Sequence, residues 1–305
     1  MSILGIDLGG TKILAAVVEG GRTVDKVRLD TPTSGFDDVV AAMASAARSL
    51  ATRGHVISAV GVGSPGPLDY RRGRVIFAPN IAGMIDAPIV AALQDALELP
   101  VSLENDANAA GYAEHLYGAA RELDSSVYVT LSTGIGGGLF LGDRLIRGAH
   151  GLAGEIGHMT VLPGGPLGGD GHSGSLEAIA AGRSMARDAS YVFSRPTSTL
   201  ELFEQARAGD RKALGIVDNA AKFTGIGIAN LVKIFDPEAF VLGGGLCRAG
   251  DFYLDRVRAA AAEYLVGYTS PRMLLAELGH DAGVIGAAAV AEREDVSPEP
   301  KGTAG

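Results

Sequence analysis

VYVTLSTGIGGGLFLGDRLIRGAHG, residues 127–151, decides the fold. Alternating β-formers Val127, Val129 and Leu131 break into Ser132-Thr133-Gly134-Ile135-Gly136-Gly137-Gly138. The chain resumes as Leu139-Phe140-Leu141 and turns through Gly142-Asp143-Arg144 into Leu145-Ile146. This spells strand, glycine turn, strand, turn, strand. With no Cβ in the way, such a turn lets the backbone approach a ligand, and its successive N–H groups can form an anion-binding nest. A tight hairpin with no ligand is the competing reading, and a glycine cluster alone does not separate the two.

The same grammar opens the chain. Residues 3–6 read as a strand, Asp7-Leu8-Gly9-Gly10-Thr11-Lys12 as a turn, 13–18 as a second strand and, after Glu19-Gly20-Gly21-Arg22, 23–29 as a third. The two copies lie roughly 125 residues apart, an imperfect internal repeat that implies two related domains facing one another. Between and after them the pattern predicts helices over 36–53, 89–97, 107–119, 176–191, 200–207, 211–235, 252–265 and 284–292. It predicts further strands over 58–62, 101–103, 239–242 and 273–276, with short strands within 69–80. Alternating strands and helices after each meander make the class α/β with mixed sheets. The expected division is an N-terminal domain, 1–107, completed by the helix at about 284–293, a larger domain over 108–283, and a disordered acidic tail over 294–305.

Composition narrows the functions. The 305 residues are 47% apolar and 20% charged, as in a soluble globular protein. The 44 glycines are about twice the ordinary ~7% share and are clustered, which signals turns and close ligand approach. A net charge of −9 without a basic run argues against a nucleic-acid partner. No apolar stretch reaches the roughly 18 residues that span a bilayer. No secretory leader is evident. The single cysteine, Cys247, allows no intrachain disulfide, so a reducing cytoplasm is expected.

Three glycine turns follow strands: Gly9-Gly10, Gly134 to Gly138, and Gly243 to Gly245. Ligands gather at the carboxyl ends of strands in α/β sheets. Two of these turns would grip phosphates, with Thr11 and Thr133 as hydroxyl donors, and the third would lie against a nucleoside. No Walker A loop occurs. Asp7, at a strand end, reads either as an Mg²⁺ partner or as a turn-capping residue. Lys12 reads as a phosphate-neutralising or a solvated cation. Asp106 reads as a helix N-terminal charge and as a general base for a substrate hydroxyl attacking a γ-phosphate. Asn80, Asn105, Glu155, His158 and Glu177 form the kind of amide and carboxylate set that reads polyol hydroxyls, although each taken singly reads as a turn or cap residue.

With these residues assembled, the chain resembles the ROK family of sugar kinases in the actin-like ATPase superfamily, which has a ribonuclease H-like fold. The likeness runs from Ile6 to about Ala291. It rests on GIDLGGTKI (5–13), GVGSPGPLD (61–69), ENDANAA (104–110), LSTGIGGGL (131–139), GEIGHM (154–159) and LGGGL (242–246). The resemblance implies an ATP- and Mg²⁺-dependent phosphotransferase with a two-domain cleft, Asp106 as catalytic base and Asp7 holding Mg²⁺. Asp7, Gly9, Gly10, Thr11 and Lys12, with Thr133 and Gly134, match the phosphate motifs, and Gly243 and Gly244 the adenosine motif. Gly66, Asn80, Asn105, Asp106, Glu155, His158 and Glu177 match positions that contact the sugar. Glucokinase-like members are the most similar, so glucose phosphorylated at C6 is the expected reaction. Fructose, mannose, allose and N-acetylhexosamines are the alternatives. A homodimer is expected from the family alone.

Many members hold a structural zinc on the histidine matching His158 and on three cysteines of a CxCGxxGC segment. Here Gly168, Asp170 and Ser175 stand at the cysteine positions. Thiolates make such a site tight, so a zinc-free member is expected, with His158, Asp170 and His172 as the only alternative ligands. Two other function classes are weaker. A sugar-sensing transcriptional regulator needs a helix-turn-helix ahead of the first motif, which begins at Gly5. A sugar-independent ATPase would have no use for GEIGH.

Overall fold

A computed structural model describes residues 2–169 and 171–294. The tail expected to be disordered falls, from 295 on, outside the described residues, as does Asp170. The chain forms two compact units. Of the described residues, one comprises 2–117, Gly148–Leu152 and 280–294; the other comprises Gly118–Arg147 and 153–279 without 170.

The first unit begins with the meander β1 (Ser2–Leu8), β2 (Lys12–Glu19) and β3 (Arg22–Asp30). Helix α1 (Phe36–Ala51) follows, with Asp37 and Asp38 in its first turn, where the helix dipole favours anions. Val39, Val40, Met43, Ala46, Ala47 and Leu50 bury one face of it. Then come β4 (Ile57–Ser64), the small antiparallel sheet of β5 (Leu68–Asp69), β6 (Arg74–Phe77) and β7 (Ile85–Ala87), helix α2 (Ile89–Leu97), β8 (Val101–Asn105) and helix α3 (Asp106–Tyr117). The main sheet runs β3-β2-β1-β4-β8. Its β1–β2 and β2–β3 pairs are antiparallel, and its β1–β4 and β4–β8 pairs are parallel.

The second unit repeats this plan. Strands β9 (Ser125–Leu131), β10 (Ile135–Leu141) and β11 (Arg144–Leu145) form its meander. Helices α4 (Leu176–Ala180), α5 (Gly182–Phe193), α6 (Thr199–Arg207) and α7 (Arg211–Phe235) follow, then β12 (Ala239–Gly243), α8 (Asp251–Tyr264) and β13 (Arg272–Leu275). The sheet order β11-β10-β9-β12-β13 is that of the first sheet, strand for strand, with the same antiparallel and parallel pairs. The internal repeat is therefore a repeat of topology.

Two boundaries differ from the sequence expectation. The helix expected over 176–191 is two helices, broken at Ala181, whose φ of −68° and ψ of 155° are extended. Tertiary hydrogen bonds override a run of good helix formers here: Gly182 N–H donates to Ser132 O at 2.8 Å and Arg183 N–H to Thr133 O at 3.2 Å. The first unit also extends through α3 to Tyr117 rather than ending at 107. The cause is α9 (Ala282–Glu294), which packs against α3, β1 and β4. Its residues Val284, Ile285, Ala287, Ala288, Ala289, Val290 and Ala291 are all buried. A Cβ on Gly5 would collide with the Val284 carbonyl, and one on Gly61 with the Ala287 carbonyl. Glycine in β1 and β4 thus lets the returning helix lie on the sheet. Each unit has its own core, centred on Leu4, Ile6, Ile13, Met43 and Val60 in the first and on Val129, Leu131, Phe223, Phe240 and Tyr253 in the second. Among the described residues no helix is long and apolar enough to cross a membrane.

Candidate active site

The first glycine turn is held open by its neighbours. Gly9 N–H donates to Lys12 O at 3.0 Å, Thr31 Oγ1 donates to Gly9 O at 2.7 Å, and Thr31 N–H donates to Thr11 O at 3.1 Å. Thr31, the residue just after β3, is buried and clamps the turn while Gly10, Thr11 and Lys12 stay exposed. A Cβ on Gly10 would stand 3.1 Å from Asn80 O and 3.3 Å from Asn80 Cβ, which brings Asn80 to this turn.

Asp7 and Asp106 sit at the carboxyl ends of β1 and β8, on either side of β4, where ligands gather. Burial, then the charge of Asp106, push the Asp7 carboxyl from 3.8 up to about 6, against the opposing pull of Lys12. Burial also raises the Asp106 carboxyl, more than the Ala107 N–H, at 2.8 Å from Oδ1, lowers it. Asn105 Oδ1 accepts from Ala107 N–H at 3.0 Å and Asn108 N–H at 3.2 Å, so Asn105 caps α3 and orients Asp106. Its amide nitrogen faces Gly66, where a Cβ would stand 3.4 Å away.

Beneath this group lies a residue that the sequence reading missed. Glu104 is fully buried, and its Oε1 accepts from Tyr70 Oη at 2.8 Å, Asn105 N–H at 2.9 Å and Asn108 Nδ2 at 3.0 Å. A buried carboxyl needs such donors, and it fixes whatever donates to it. The available signal was the run Glu104-Asn105-Asp106 ending an otherwise apolar strand.

The second glycine turn is built differently. Ser132 N–H donates to Gly134 O at 2.9 Å, and Ile135 N–H donates to Glu177 Oε2 at 2.8 Å. Gly134 lies so close to Oε2 that a Cβ would collide with it. Glu177 is thus placed at the root of the turn, in the first turn of α4, whose N-cap Ser175 Oγ accepts from Ala178 N–H at 3.2 Å. Gly157 packs on Ile135 O and would place a Cβ 3.5 Å from Glu177 Cβ. Gly157 is thus held between β10 and α4, and its neighbours Glu155 and His158 stand 3.9 Å apart. Thr133 is exposed at the turn's tip.

A cavity of about 640 Å³ opens from this turn within the second unit. Ser132 and Thr133 line one side, Gly245, Leu246 and Ala249 another, and Ser198, Thr199, Phe203, Glu204 and Arg207 a third. Next to this lining Gly243 packs against the Tyr128 ring, and Gly244, at φ 89°, sits against Leu131 O. The α6 wall was not foreseen. Its sequence signal is only a helix start, Ser198 Oγ accepting from Glu201 N–H.

The 160–175 segment is a hairpin held by its backbone. Thr160 bridges to Ser175 and Leu167 to Ser173, and Val161 N–H and Leu162 N–H both donate to Gly174 O. Among the described residues no group of three His, Cys, Asp or Glu is arranged to hold a metal ion. The alternative ligand Asp170 lies outside them.

A family model described as ROK family matches residues 3–294. A glucokinase of Streptomyces coelicolor is 37% identical, over 96% of this chain and 98% of its own. The crystal structure of a ROK hexokinase from Thermus thermophilus superposes with a TM-score of 0.91 at 50% identity, covering 97% of this chain and 99% of that one. A ROK family glucokinase from Streptomyces griseus, solved with glucose and AMPPNP, superposes with a TM-score of 0.83 at 36% identity, over 96% of this chain and all of that one.

Proposed function

The chain belongs to the ROK family, with its actin-like ATPase fold, and from that premise we propose that it is a glucose kinase, transferring the γ-phosphoryl group of ATP to the C6 hydroxyl. The observation that carries the reading is Asp106. It is a carboxylate raised above its ordinary range by burial, oriented by the Ala107 N–H and by the Asn105 cap, at the end of a strand. A base moved toward neutral pH is better matched to a hydroxyl proton than an ordinary aspartate. Asp106 takes the C6 hydroxyl proton as that oxygen bonds to the γ-phosphorus and the bond from phosphorus to the ADP oxygen breaks. The sugar hydroxyls are read by Glu155, His158 and Glu177 of the second unit and by Asn80 and Asn105 of the first. The N–H groups of the two glycine turns, with Thr11, Lys12 and Thr133, receive phosphate charge.

Asp7 fits a hard cation. Its carboxyl is forced up to about 6 partly by a second carboxylate, an arrangement that a divalent ion relieves. Mg²⁺ bound there would neutralise charge on the phosphates of ATP. The reading includes a cytoplasmic location, supported by the single cysteine and by the family, and a homodimer, supported by the family alone.

A coupled ADP-release assay across glucose, fructose, mannose, allose and N-acetylhexosamines tests the assignment. The highest kcat/KM is expected with glucose. A higher value with another sugar overturns the substrate, and ATP hydrolysis indifferent to every sugar overturns the kinase.

A further inference from the structure

Glu177 is engaged from two sides, and one of its partners also faces the cavity. Oε2 accepts the Ile135 N–H at 2.8 Å, while Oε1 pairs with the Arg183 guanidinium. The Arg183 side chain is 49% exposed, against 16% for Glu177. Arg183 also lines the cavity that opens from Thr133 and Gly245. Its main chain is pinned, the N–H donating to Thr133 O at 3.2 Å, so any response to a ligand falls to its long side chain. A Cβ on Gly169 would stand 3.7 Å from Arg183 Nη2, so the guanidinium also borders the 160–175 hairpin. One cation therefore stands where Glu177, the glycine turn and the cavity meet.

We propose that Arg183 couples the two substrates by exchanging partners: a triphosphate in the cavity draws the guanidinium from Glu177 and frees Oε1 to accept a sugar hydroxyl. This rests on the kinase reading above. A guanidinium matches phosphate oxygens at least as well as it matches a carboxylate, and a triphosphate carries several negative charges against the single charge of Glu177. Glu177 keeps the Ile135 N–H on Oε2, so the carboxylate stays oriented while its other oxygen becomes available. Without nucleotide the same oxygen is occupied, and sugar capture is weaker. Linkage requires the effect to be reciprocal, so that sugar tightens nucleotide binding by the same factor.

Calorimetric titration of the full chain with glucose, with and without saturating AMPPNP and Mg²⁺, reads the coupling. In the wild type AMPPNP is expected to lower the glucose Kd by about 5-fold or more. Arg183→Gln is expected to bring the ratio to within about 2-fold of unity, while its glucose affinity without nucleotide rises because Oε1 is no longer occupied. Arg183→Lys keeps a cation and is expected to restore part of the ratio, which a purely structural role of the side chain would not produce. A folded Arg183→Gln protein with the full wild-type ratio overturns the proposal, as does a wild type that phosphorylates glucose with no coupling; both leave the kinase reading standing. Absence of glucose and AMPPNP binding in the wild type overturns the kinase reading and the proposal with it.

Discussion

Asp106 raises the carboxyl pKa of Asp7 across a single intervening strand. In the sheet Asp7 pairs with Gly63 and Gly63 pairs with Glu104, which places the ends of β1 and β8 on either side of a side-chain-free position of β4. With burial as the larger cause and Asp106 as the second, Asp7 rises from 3.8 to about 6. Two carboxylates held this way without a cation make the ligand-free protein pay for its site in stability.

That cost has a definite pH dependence. A carboxyl raised on folding favours the fold when protonated, so its contribution is complete below 3.8 and is lost as pH rises through about 6. Asp7→Asn removes the penalty. Without nucleotide or Mg²⁺ the variant is expected to melt about 2–5 °C above the wild type at pH 8. The difference should shrink between pH 6 and 4. Added Mg²⁺ is expected to raise the melting temperature of the wild type only. Scanning calorimetry at pH 4.5 and 8 reads both effects, and a variant less stable than the wild type at pH 8 would contradict the account.

Glu104 holds Tyr70, Asn105 and Asn108 from a fully buried position. Glu104→Ala leaves those donors without their acceptor, at a cost of about 1–3 kcal/mol. Because Asn105 precedes Asp106, the proposed base, kcat is expected to fall with it. Glu104→Gln keeps an acceptor oxygen and should lose less of both. Urea unfolding and initial rates on the two variants check the order.

Gly61 is the position at which α9 meets β4. Gly61→Ala drives a methyl group into the Ala287 carbonyl, and such overpacking costs about 1–3 kcal/mol. The loss is expected to appear as a lower urea midpoint. Unchanged stability would contradict the docking of the chain's last helix on the first sheet.

The meanders were legible because period-2 apolar runs and glycine turns are local signals, and residues 127–138 display both. The long α7 was equally legible: Asp210 Oδ1 accepts from Lys212 and Ala213 N–H at one end, and Pro237 stands just past the other. What the sequence concealed is what distant chain supplies. Ala181 breaks a helix because Ser132 and Thr133 present their carbonyls to Gly182 and Arg183. Glu104 reads as an ordinary strand-end carboxylate until Tyr70 and Asn108 close over it. The α6 wall of the cavity consists of common helix residues that acquire meaning only opposite Thr133 and Gly245. Asp7 and Asp106 were legible as candidates because each carboxylate stands at or just past the end of a strand.

The central claim is that Asp106 is the base for phosphoryl transfer to glucose. The direct measurement is kcat for glucose phosphorylation by Asp106→Asn, alongside its glucose Kd from calorimetry. The account predicts a fall in kcat of about 10²–10⁴-fold or more, with glucose binding still measurable and the melting temperature no lower than that of the wild type. Turnover undiminished in a folded, glucose-binding Asp106→Asn protein would contradict it.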